Sequence, residues 1–199
     1  MNSEQLLFDG ILALGLAVDK YKVDQLIAYI HLLQKWNKVY SLTAITDTRH
    51  IITHHILDGL TVVPYISNAN SIIDIGSGMG VPGVVLAIWN SCQKITLLDS
   101  NQKKCIFLKQ VAIELGLKNV SVQNIRVEEY KPSIGFDIVI SRAFANTQLF
   151  ITLSSHLLTT GGYFLAMKSR TQEKIVNCTS IKVKIPGIDD ERVLLKCTK

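Results

Sequence analysis

At 199 residues, 48% of them apolar, the chain has the material for one medium domain, or one domain with a small appendage. Its net charge of +5 is uneven: residues 1–66 carry five basic and six acidic side chains, and the other 133 carry sixteen and ten. That excess favours a polyanionic partner, while the lack of any apolar run near the ~18 residues of a membrane helix argues against a membrane protein.

The N-terminus Met1-Asn2-Ser3-Glu4-Gln5 has neither the basic start nor the cleavage site of a signal peptide. Cys92, Cys105, Cys178 and Cys197 are scattered without Cys-x-x-Cys spacing, so they are expected to be reduced in a cytoplasmic protein.

A first helix is predicted over about 3–16, carrying Leu6, Leu7, Ile11 and Leu14 and stopping near Gly15. Leu26, Ile30, Leu33, Trp36 and Tyr40 recur at three- and four-residue steps and mark an amphipathic helix over about 23–40. A third runs from Asp47, its N-cap, to about 63, ahead of Pro64. Residues 1–66 thus read as an N-terminal helical segment.

From residue 67 onward the texture changes. Strand-length apolar runs alternate with helical patterns: Ile72–Ile75, then 82–90; Ile95–Leu98, then 101–116; Val120–Gln123, then a short link; Phe136–Ile140, then 147–158. A fifth strand, Tyr163–Met167, follows Gly161-Gly162, and the tail reads as Ile181–Ile185 and Arg192–Leu195 joined at Pro186-Gly187. Alternation of this kind implies an α/β fold, a parallel Rossmann-like sheet covered by helices on both faces, with a C-terminal antiparallel hairpin at its edge.

The most informative stretch is Ser71-Ile-Ile-Asp-Ile-Gly-Ser-Gly-Met-Gly-Val-Pro-Gly83, where a strand ends in Asp74 and meets four glycines within eight residues. Such a strand-to-helix turn is where α/β proteins bind nucleotide-like molecules. Two frames fit. Gly78-x-Gly80-x-x-Gly83 matches the dinucleotide fingerprint of nicotinamide-dependent oxidoreductases, a weak signal alone. Asp74-x-Gly76-x-Gly78-x-Gly80 matches the first motif of S-adenosylmethionine-dependent methyltransferases. Pro82, at the first helical turn, has no N–H to offer a phosphate, and Asp74 at the strand end can face an ammonium group; both favour the second frame.

Asp99, twenty-five residues beyond Asp74 at the end of the next strand, is placed to accept the two hydroxyls of a ribose, or else caps the following helix. Val127 and Glu128 supply the apolar and polar pair that meets an adenine after the third strand. Arg142 and Phe144 follow the fourth strand, at the end of the sheet where parallel folds place their chemistry.

Asp-Ile-Gly-Ser-Gly-Met-Gly-Val-Pro-Gly (74–83), Thr-Leu-Leu-Asp-Ser (96–100), Arg-Val-Glu-Glu (126–129) and Ile-Ser-Arg-Ala-Phe (140–144) together resemble the bacterial 16S ribosomal RNA guanine-N7 methyltransferases, also called glucose-inhibited division protein B. The likeness extends to Lys35-Trp36-Asn37-Lys38 with Leu42-Thr43, to His55-Ile56-Leu57-Asp58, and to Asp190-Glu191-Arg192. It implies a class I methyltransferase sheet, S-adenosylmethionine as cofactor, and 16S ribosomal RNA or the small ribosomal subunit as partner, with the protein acting as a monomer. Cofactor contacts carry over onto Gly76, Val81, Val127, Glu128 and Arg142, joined by Asp99; Gly78 and Gly80 supply backbone shape. The chain departs from the family pattern at Met79 (proline), His54 (arginine), Gly59 (serine) and Met167-Lys168-Ser169 (Leu-Lys-Gly).

Guanine N7 needs no deprotonation, so no acid–base residue is assigned. Lys103, Lys104, Lys109, Lys168, Arg170 and Lys174 are candidate phosphate contacts. His50, His54 and Asp58, spaced i, i+4, i+8, could share a helix face as a metal site or as an interhelical cluster, and the lack of a further ligand favours the cluster. The rival functions are a nicotinamide-dependent oxidoreductase and a non-catalytic RNA-binding module.

Overall fold

The computed structural model describes residues 2–142, 144, 146–169 and 175–199. Helices α1 (Ser3–Ala13) and α2 (Lys20–Tyr40) begin at Asn2 and Asp19, whose side chains accept backbone N–H groups of the first turn. Each such cap is worth about 1 kcal/mol. The third predicted helix starts at Asp47, whose carboxylate accepts from His50 N at 2.9 Å, but it is not uniform. α3 (Thr48–Ile51) passes into a π-helical turn, Ile52–Leu57, before resuming as α4 (Asp58–Leu60). Residue periodicity could not reveal that widened turn.

β1 (Ser71–Ile75), α5 (Gly83–Trp89), β2 (Lys94–Leu98), α6 (Gln102–Glu114), β3 (Val120–Gln123), β4 (Phe136–Arg142), α7 (Thr147–Ser154) and β5 (Leu158–Lys168) follow in the alternation read from the sequence. β6 (Cys178–Val183) and β7 (Arg192–Thr198) complete a seven-stranded sheet of order β3-β2-β1-β4-β5-β7-β6. β1 to β5 pair in parallel, and β7 runs antiparallel between β5 and β6. The hairpin therefore inserts its second strand against the sheet and leaves β6 at the edge.

Gly161 and Gly162 lie inside β5 rather than before it. The β4–β5 register shifts between Phe136 and Ile138, and a side chain at Gly162 would press on Asp137 O at 2.7 Å. The glycines thus serve a close strand approach, not a strand start. The expectation of four reduced cysteines is also corrected. Cys178 and Cys197, 19 residues apart, stand opposite each other in the β6–β7 ladder with Cα atoms 4.0 Å apart and form a disulfide. Antiparallel register, invisible in cysteine spacing, brings them together.

The two faces of the sheet are unequally covered. One core cluster joins Leu7 and Ile11 of α1, Leu26, Ile30 and Leu33 of α2, the π turn, α5 and α6 to β1, β2 and β4. The opposite face is covered by Phe150 of α7, Leu157 and the 125–130 link. Residues 1–66 therefore share a core with the sheet. Among the described residues no helix is long and apolar enough to cross a membrane.

Candidate active site

The carboxyl ends of β1, β2 and β4 converge because of register. Asp74 stands level with Leu97 on one side and Ile140 on the other, so Gly76, Asp99 and Arg142 each lie two residues beyond a paired row. Ser141 Oγ donates to Ile75 O at 2.8 Å and ties the end of β4 to that of β1.

The turn after β1 is built from backbone. Gly76 N and Ser77 N donate to Leu98 O at 2.8 and 3.1 Å, and Gly80 N donates to Ser77 O at 2.7 Å. Gly80 has φ +100°, and a Cβ there would come within 2.5 Å of Val84 Cγ2, so only glycine fits. Asp74 is fully buried; its Oδ2 accepts from Gly83 N at 3.0 Å, while Oδ1 has no partner among the described residues. Burial pushes its carboxyl up to about 7. Asp74 thus first organises the turn, with one oxygen left over, which refines the ammonium-facing role expected for it. From α2, the buried Tyr29 hydroxyl donates to Met79 O at 2.6 Å and fixes the outer limb of the turn. The sequence pattern marked that helix face as core and missed Tyr29, which occupies the same apolar stripe.

Asp99 is buried and holds the turn from the β2 side. Its Oδ2 accepts from Gly78 N at 2.9 Å and its Oδ1 from Asn101 N at 2.8 Å. The cap of α6 is Asn101, not Asp99, so the capping alternative fails. Gly78 contributes more than shape, since its N–H locks the two strand ends together. A pocket of about 190 Å³ opens here, lined by Gly76, Asp99, Val127, Glu128, Phe144 and Leu153 among others. Four of the predicted contacts, Gly76, Asp99, Val127 and Glu128, meet at this pocket. Phe144 and Leu153 close it from the α7 side; Leu153 gave no sequence signal beyond its apolar character.

Val81 is placed elsewhere. Its side chain is buried, 3.3 Å from where a Cβ on Gly59 would stand, so any ligand contact would come from its backbone. Glycine at 59 permits this close packing.

Arg142 lies on the β4 side and turns toward the N-terminal helices. Its Nη1 lies 3.2 Å from His54 O, 3.3 Å from His55 Nδ1 and 3.3 Å from Asp58 Oδ2. At the end of the π turn Asp58 N bonds back three residues to His55 O, rather than four to His54 O as in an α-helix. Burial pushes the Asp58 carboxyl up while Arg142 pulls it down, and burial with the neighbouring guanidinium depresses His55 to about 4. His50 and His54 stack edge to face at 5.5 Å. Asp58 is committed to Arg142, and among the described residues no group of three or more such side chains could hold a metal ion.

Of the basic residues, Lys103 and Lys109 project from α6, while Lys104 approaches Asp99 Oδ2 at 3.9 Å. Lys168 is half-buried and donates to Phe144 O at 2.7 Å, pinning the loop after β4. Arg170 and Lys174 lie outside the described residues.

A family model described as rRNA small subunit methyltransferase G matches residues 22–199. The chain belongs to that family. It is 42% identical over 207 residues to the ribosomal RNA small subunit methyltransferase G of Neisseria gonorrhoeae (strain NCCP11945), covering all of both chains. Against the protein of the same name from Laribacter hongkongensis the figure is 41% over 204 residues, 98% of each chain. In fold it is similar to a crystal structure of a putative O-methyltransferase from Klebsiella pneumoniae, with a TM-score of 0.62 at 12% identity, covering 95% of this chain and 94% of that one. The fold is thus the Rossmann-like sheet of class I methyltransferases.

Proposed function

We propose that this chain transfers the methyl group of S-adenosylmethionine to N7 of a guanine in 16S ribosomal RNA, in the cytoplasm and as a monomer. The observation that carries the reading is the convergence of Gly76, Asp99, Val127 and Glu128 on one strand-end pocket in a chain of this family. The pocket suits the cofactor chemically. The Asp99 carboxylate would accept from a ribose, apolar walls from Val127, Leu153 and Phe144 suit an adenine, and Gly76, without a Cβ, would admit the chain between them. The orphaned Oδ1 of Asp74 lies beneath the turn as an acceptor for an ammonium group or a bridging water.

When bound, S-adenosylmethionine supplies an already activated methyl group. Guanine N7 presents an in-plane lone pair and carries no proton, so the protein need not remove one. Its work is to hold the two partners in line and to exclude water. Asp99 and the 125–128 link hold the nucleoside end. Arg142 would hold an anionic group on the β4 side, and the Phe144 ring lines the nucleoside pocket. The excess of basic side chains beyond residue 66, Lys103 and Lys109 included, provides the phosphate attraction.

The test is incubation with methyl-labelled S-adenosylmethionine and unmodified small ribosomal subunits or their RNA. Label in 16S ribosomal RNA supports the reading; none in any RNA form, from protein that binds the cofactor, would reject it.

A further inference from the structure

We infer that Thr43, His55 and Asp58 form a positioning relay that holds Arg142 by one nitrogen and presents the other to the carboxylate at the amino-acid end of the cofactor. This inference rests on the adenosylmethionine reading of the glycine turn.

A guanidinium has five N–H donors, and their use here is one-sided. Nη1 faces His54 O, His55 Nδ1 and Asp58 Oδ2, whereas Nη2 and Nε have no partner among the described residues. The Arg142 side chain keeps 20% of its surface exposed, against 10% for Asp58. His55 Nδ1 and His54 O are 3.0 Å apart and flank the same Nη1. Nη1 carries two hydrogens, which His54 O and Asp58 Oδ2 can take, while His55 Nδ1 is bonded to His54 O beside them. The other ring nitrogen, Nε2, is hydrogen-bonded to Thr43 Oγ1, 2.9 Å away.

Thr43 is itself fixed at both backbone ends. Its N–H donates to Asn37 Oδ1 at 2.9 Å and its C=O accepts from Asn37 Nδ2 at 3.0 Å, while Oγ1 also accepts from Ile45 N at 3.1 Å. The relay therefore runs from α2 through the 41–47 link and the π turn to the end of β4. An unrestrained arginine loses rotamer entropy when it is immobilised by a ligand; one already clamped loses less.

Register identifies the ligand group. The nucleoside pocket lies beyond β2 and β3, on one side of β1, and Arg142 lies level with Gly76 on the other. A cofactor laid across the glycine turn with its adenosine in that pocket brings its amino-acid end to β4. Arg142 is a cation there, close enough that its charge also acts on Asp74 and Tyr29.

The relay is tested by calorimetric titration with S-adenosylhomocysteine, which carries the carboxylate, and with 5′-methylthioadenosine, which lacks it. Asp58→Asn should weaken S-adenosylhomocysteine about tenfold and Thr43→Val about threefold, with methylthioadenosine affinity within about twofold of the parent protein. Equal weakening of both ligands, unchanged binding of both, or a loss confined to RNA affinity would overturn the relay. If Asp58→Asn does not melt cooperatively by circular dichroism, Thr43→Val, which removes neither charge, decides alone. Failure of the parent protein to bind either nucleoside would instead overturn the adenosylmethionine reading itself.

Discussion

The two sides of the glycine turn are built differently. On the β2 side, the pocket is made from residues close to strand ends: Gly76, Asp99 and the 125–128 link, with backbone hydrogen bonds doing most of the fixing. On the β4 side, Arg142 depends on His54, His55 and Asp58, more than 80 residues earlier in the chain. The first side follows from local turn chemistry and sheet topology. The second exists because the N-terminal helical segment docks on the sheet. A residue such as Asp58 can therefore matter to a site without lying in any nucleotide-binding motif.

The largest expected effect lies in the turn both sides share. Gly80→Ala forces a side chain into a position with φ +100° and against Val84, at a cost of about 3 kcal/mol or more. Urea unfolding should show that loss together with abolished S-adenosylhomocysteine binding. Retained affinity at unchanged stability would mean that the turn is not the shared support.

Next in size is a pH effect that sets one side against the other. His55 is depressed from 6.5 to about 4, so its contribution to stability is present above pH 6.5 and lost as pH falls toward 4. Asp74 is raised from 3.8 to about 7, so its contribution is present below pH 3.8 and lost as pH rises through 7. Between pH 4 and 6.5 the two oppose. Asp74→Asn removes one arm, and the variant should lose about 3 kcal/mol more than the parent protein on acidification through that window. Parallel pH profiles for the two proteins would contradict the assignment.

Asp99→Asn should follow, with S-adenosylhomocysteine affinity falling about 30-fold as a charged acceptor is lost. Because this lesion is on the nucleoside side, methylthioadenosine should weaken equally, the opposite of the pattern expected for Asp58→Asn. The smallest effect belongs to the surface. Replacing Lys103 and Lys109 by Gln should weaken RNA binding and reduce the slope of log affinity against log salt by roughly 1 to 2. Binding curves at several salt concentrations check this, and an unchanged slope would remove α6 from the RNA face.

The same contrast explains what the sequence made legible. Strand–helix alternation, the hairpin and the Asp74–Gly83 turn rest on local patterning, and the structure places each within a few residues of its expected position. Asp99, Val127 and Glu128 were readable because a parallel sheet brings successive strand ends together. Tyr29 was not, since a helix stripe does not distinguish a core tyrosine from one that bonds a turn carbonyl. Neither was the π turn, nor the fact that, of His50, His54 and Asp58, only the Asp58 side chain reaches Arg142. The Cys178–Cys197 bond depends on antiparallel register, and the place of Gly161-Gly162 inside β5 depends on a close contact with Asp137. Long-range register is the common missing ingredient.

One measurement bears most directly on the whole account: the chemical identity of the base that receives the methyl group. RNA labelled by the protein is digested to nucleosides and separated against standards. The account predicts label in 7-methylguanosine, from a single site in 16S ribosomal RNA. Label in N6-methyladenosine, in a 2′-O-methylated ribose, or spread over many nucleosides would contradict it.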